Sequence, residues 1–129
     1  MKIQIKPLLV ITFVLMTNNA LAQQLTVHQA AAVYDRIRTT PAQLTIYCER
    51  QKANQELMSA LTAKDKDKDA SAKAQRRVTE LEAKLPDFNK ANQYFATNAP
   101  KGVKFFSEGE GKPVHEATRK LNSACYATK

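Results

Sequence analysis

Tryptophan is absent, and only three glycines, two cysteines and two histidines occur in 129 residues. Each shortage closes a chemical route. The histidines, His28 and His115, lie far apart in sequence, and neither has a nucleophile signature beside it. "HEATR" (His115–Arg119) begins like a zinc-protease helix, but Arg119 stands where the second histidine ligand is needed one turn on. "GEGKP" (Gly109–Pro113) lacks the earlier glycine of a phosphate loop, whose place is held by Phe106, and ends in Pro113 instead of Ser or Thr. There is no Cys-x-x-Cys, so neither a local redox motif nor c-type haem attachment is encoded. Charge of one sign is never concentrated. Stretches such as "ERQKANQE" and "KDKDKD" interleave acids and bases, so the basic stripe of a nucleic-acid reader is missing. No metal or cofactor is expected.

A long hydrophobic run is also missing. The longest, Leu8 to Met16, is about half of the roughly 20 residues that cross a bilayer. It follows Lys2 and Lys6 and precedes Ala20-Leu21-Ala22, which together read as a signal peptide over residues 1–22, cut after Ala22. The alternative is an uncleaved anchor. With no cysteine after Ala22, lipid attachment is not expected, nor is stable membrane insertion after cleavage. The expected product is a single helical domain, 23–129, periplasmic or secreted. Removing Lys2 and Lys6 lowers the formal net charge from +8 to +6.

What is present is helical pattern. Val27, Ala30, Tyr34 and Ile37 share one face, with Thr26 as N-cap. Thr40 and Pro41 open a second helix with Leu44, Tyr47, Cys48, Leu57, Met58 and Leu61 as its apolar residues. Ala74, Val78, Leu81 and Leu85 mark a third, closed by Pro86, and Asp87 is placed to cap a short fourth. Val114, Ala117, Leu121 and Cys125 line the last. The sequence predicts an all-α, disulfide-linked bundle of four to five helices with one long Gly/Pro loop. Cys48 and Cys125 are expected to pair, because two cysteines in a small exported domain form a bridge most simply. Tyr47 and Tyr126 are expected to pack near it. A redox role for the pair is the alternative.

The tract "KDKDKDASAKAQRR" opens like a calcium loop, with Asp65, Asp67 and Asp69 at its first, third and fifth places. The sixth place needs glycine and holds Ala70; the ninth is Lys73; the twelfth needs a bidentate glutamate and holds Arg76. Helix phase explains the tract differently. The apolar residues before and after it point to opposite sides of any continuous helix, so a turn near Lys66–Asp69 is expected, with Asp69 capping the next helix. One long helix is the competing picture, since no Gly or Pro interrupts it.

"NAPKGVKFFSEGEGKP" holds all three glycines and reads as a loop, with a short extended piece at "VKFF". Phe105 and Phe106 either plug a thin core or, with Val103, Lys101 and Lys104, face a partner. The order "TIYCERQ", charged tract, "VTELEAKLPDF", loop, "ATRKLNSACYA", spanning about residues 44–127, resembles small exported helical proteins of alphaproteobacteria with one early and one late cysteine. That resemblance implies a disulfide-clamped helical fold and no chemistry. The functional expectation is a non-enzymatic binding or accessory protein of the cell envelope, acting on an envelope protein, with a homodimer left open. A periplasmic chaperone or an inhibitor of an envelope enzyme is the first alternative. A small enzyme using convergent carboxylates such as Glu108, Glu110 and Glu116 is the second.

Overall fold

The computed structural model describes residues 24–63 and 68–127. The expected signal peptide, 1–22, and the centre of the charged tract, with Asp65 and Asp67, lie outside the described residues. The described chain is all helical: α1 (Val27–Thr39), α2 (Pro41–Thr62), α3 (Lys68–Ala83), α4 (Phe88–Asn98), a 3-10 turn (Ala99–Lys101), α5 (Val103–Ser107) and α6 (Lys112–Ala127).

The helix starts follow the sequence in part. Thr26 Oγ accepts the Gln29 N–H at 3.2 Å, and Gln29 Oε1 accepts the Thr26 N–H at 3.0 Å, a reciprocal box that satisfies two donors at the start of α1. Thr40 and Asp87 hold the N-cap positions of α2 and α4, but neither side chain makes the capping bond. Asp87 instead reaches Arg36 at 3.5 Å and Lys90 at 3.6 Å. Asp69 lies in the first turn of α3, where a carboxylate meets the positive end of the helix dipole.

Two apolar clusters divide the molecule. The larger holds Ala30, Val33, Tyr34 and Ile37 of α1, Tyr47 of α2, Leu85, Phe88 and Ala91 around α4, and Val114, Ala117 and Leu121 of α6. These are the expected faces of α1 and α6, with Val33 added. The smaller holds Ala53 of α2 with Val78 and Leu81 of α3. Ile46 packs against both. α2 and α3 therefore form a hairpin arm that runs out from the body, and the single long helix is excluded. Their antiparallel run is marked by Arg77–Glu49 at 3.1 Å and Arg50–Glu82 at 3.6 Å. Small Ala53 and Ala74, both buried, let the two helices approach closely.

The expected apolar seam of α2 is corrected at its far end. Met58 is 53% and Leu61 50% exposed, so they do not fold against α3. The reason is phase. At about 100° per residue they continue the Tyr47 side of the helix, whereas Ala53 faces α3, roughly a quarter turn or more away.

The long-loop expectation is corrected as well. Val103–Ser107 is helix, not an extended strand. Gly102, at φ +89°, supplies the left-handed residue between the 3-10 turn and α5. After α5 the chain tucks back, with the Gly111 N–H donating to the Phe105 carbonyl at 3.0 Å. A Cβ on Gly111 would stand 2.6 Å from the Phe105 ring, so glycine is required by close approach.

Cys48 and Cys125 are bridged, with Cα atoms 5.4 Å apart and 77 residues apart in sequence. A loop that long costs the unfolded chain about 4–5 kcal/mol of closure entropy in the chain-entropy model. Replacing both cysteines with serine is expected to lower the unfolding free energy by about 2–5 kcal/mol, read from urea denaturation. An unchanged midpoint would mean the bundle holds α6 without the bridge.

Candidate functional site

An aromatic chain fills the body. Tyr47 meets Phe88 at 5.7 Å, Phe88 meets Tyr34 at 6.2 Å, and Tyr34 meets Phe95 at 6.1 Å between ring centroids. Phe95 stacks on Phe106 at 5.2 Å, and Phe106 meets Phe105 edge-on at 5.0 Å. Lys101 Nζ caps the outer end, 4.8 Å from the Phe105 centroid. Arg50 sits over Phe88 at 5.2 Å while pairing with Glu82.

The predicted contact residues differ in exposure. Phe105 and Phe106 are half-buried against α4 and α6, so their rings close one end of the core. Val103, Lys101 and Lys104 are on the surface, and Val103 is 82% exposed. The predicted group thus comprises two half-buried rings and one exposed valine between two lysines. The carboxylates do not share one cleft. Glu116 lines a groove between α1 and α6 with His28, Asp35 and Lys120, and pairs with Lys112 at 3.9 Å. Glu110 is instead close enough to Tyr94 to act on its hydroxyl.

A second surface, which sequence reasoning missed, lies where α6 ends against the arm. Gln51, Asn54, Gln55, Met58, Leu61 and Thr62 fall within one third of the circumference of α2. None is charged, in a chain where a quarter of the residues are. Tyr126 joins from α6: it lines a pocket of about 180 Å³ with Cys48, Gln51, Lys52, Gln55, Asn122 and Cys125. Tyr126 is 66% exposed and lies near the bridge, lining the same pocket as both half-cystines. Tyr126 at this pocket and, farther along the same face of α2, the exposed Met58 and Leu61 make up a ledge with an amide-lined step at its foot. Tyr47 Oη and Gln51 Nε2 both donate to Asn122 Oδ1, which fixes the wall of the step. The sequence signal was available in the uncharged spacing of α2, but its exposure depends on where α6 stops.

Burial holds three tyrosines in their neutral form. Desolvation raises the pKa of Tyr34 well above the usual range, with Tyr47 adding to the rise and Arg50 opposing it. Desolvation raises Tyr47 also, against Arg50, and raises Tyr94 with help from Glu110. Tyr34 Oη donates to Asn92 Oδ1 at 2.7 Å, a bond its phenolate could not make. Because the folded pKa lies above the unfolded value, this stabilisation is complete below pH about 10 and is lost as pH rises through the folded pKa. The urea midpoint is expected to fall above pH about 10, and Tyr34→Phe to flatten that fall. Ultraviolet titration of the phenols checks the assignment, since the variant must lose a late-titrating component. No protein-family model, curated protein or solved structure matches this chain.

Proposed function

We propose that the protein is a non-enzymatic binding or accessory protein of the cell envelope, exported to an oxidising compartment, and that the ledge of Met58, Leu61 and Tyr126 is where it docks a protein partner. The observation that carries this reading is that, of the four exposed large apolar side chains among the described residues, Met58 and Leu61 lie on one uncharged face of α2 and Tyr126 lines the pocket which that face borders. Interfaces favour Tyr and Met and disfavour charge at their centre. Met58 adds a side chain that adapts to varied apolar shapes. The bridge supports the compartment, since disulfides persist where thiols are oxidised. Among the described residues no helix is long and apolar enough to cross a membrane.

The adaptable Met58 also favours a second reading, a chaperone that holds unfolded clients on the same ledge. Suppression of a model client's aggregation would separate it from a dedicated partner.

The test is photo-cross-linking in cells making the full precursor, with the reactive residue at position 61 or at position 103. A discrete adduct from position 61 that vanishes with Met58→Glu is expected. An adduct from position 103 alone would move the docking surface to Val103 with Lys101 and Lys104. No adduct from either position would sink the binding reading.

A further inference from the structure

The foot of the ledge has a chemistry of its own. We propose that the Cys48–Cys125 bridge is a thiol-exchange site, opened by an external thiolate that attacks Cys125 Sγ and expels Cys48 Sγ, and that its partner class is a thiol–disulfide oxidoreductase of the same compartment.

Four observations converge. Both half-cystines are only partly buried, and both line the pocket of about 180 Å³. Partial exposure at a pocket gives an external thiolate a route to the sulfurs. Secondly, the pocket is lined by one cation and no carboxylate: Lys52 is there, and every other lining side chain is neutral. An electropositive, partly exposed setting is what makes a cysteine reactive, because the thiolate is the species that forms and leaves. Thirdly, Lys52 lies four residues after Cys48 on α2, one turn along the same face. Cys125 lies in the last turn of α6, where the helix dipole disfavours an anion. The two sulfurs are therefore unequal leaving groups, and Cys48 is the better one. Finally, Gln51, Gln55 and Asn122 line the wall, side chains suited to hydrogen-bond the backbone around an attacking cysteine. The absence of Cys-x-x-Cys fits a substrate of exchange, not a catalyst of it.

The steps balance. The attacking thiolate bonds to Cys125 Sγ, the Sγ–Sγ bond breaks, and its electron pair leaves on Cys48 Sγ beside Lys52. A second thiolate attacks the mixed disulfide and expels Cys125 as thiolate, so two external thiols are oxidised and the bridge gains two electrons. With the proposed docking reading, opening would free the last turn of α6 and release Tyr126 from the pocket at the foot of the ledge. The exchange itself is measured without any docking partner, so the two ideas fail separately.

The probe is reduced glutathione with the oxidised full chain under native conditions, quenched with acid, alkylated and mapped by mass spectrometry. Glutathione on Cys125 with Cys48 alkylated is the expected early product. Lys52→Glu should slow its formation by about three- to tenfold, through the raised pKa of the leaving thiol. Lys52→Arg should hold the rate within about twofold. Glutathione found on Cys48, a Lys52→Glu rate equal to that of the unaltered chain, or reduction no faster than global unfolding would each overturn the proposal.

Discussion

The bridge between Cys48 and Cys125 ties the last helix to the one described helix that takes part in both apolar clusters. Tyr47 of α2 belongs to the body and Ala53 to the arm, and Ile46 touches both. One helix must then serve two cores on two faces, which leaves each face apolar for only part of its length. α6 lies along the Tyr47 face, held by the bridge and by the Tyr47–Asn122 hydrogen bond. Beyond the Tyr47 and Gln51 contacts with Asn122, that face of α2 continues as the exposed Met58 and Leu61.

The same arrangement explains how a thin core suffices. Its largest fully buried side chains are Tyr34, Phe88, Ile37, Leu81, Leu121 and Val114. Full burial of such side chains stabilises by about 1.5–3 kcal/mol each, before the entropy of ordering them is subtracted. A bridge closing 77 residues shrinks the unfolded ensemble and offsets part of that cost. Arg50 joins body to arm, stacked on Phe88 and paired with Glu82 at partly buried positions.

Local pattern was legible in the sequence; spatial reach was not. The faces of α1, α3 and α6 follow from spacing, Thr26 from its residue type just ahead of α1, and the cysteine pair from there being just two; α3 does fold back on α2, but against Ala53 and not against the Met58–Leu61 seam. The α5 helix was missed because three glycines outweighed the helical tendency of Lys104 to Ser107, and glycine serves here for a left-handed residue at Gly102 and a close approach at Gly111. The exposure of Met58 and Leu61 was missed because apolar residues read as core until the length of their neighbour is known. Phe105 and Phe106 read first as a core plug and second as a contact, and the structure shows Phe106 stacked on Phe95 with Phe105 edge-on to Phe106.

The central claim is that the bridge builds the ledge by fixing the end of α6 on α2. Amide hydrogen exchange of the oxidised and reduced protein, compared peptide by peptide, tests it most directly. The account predicts lost protection over residues 119–127 and over 47–52, with the Val78–Leu81 region of α3 largely retaining its own. Unchanged protection at the end of α6 after reduction, or a uniform loss through the whole chain, would contradict it.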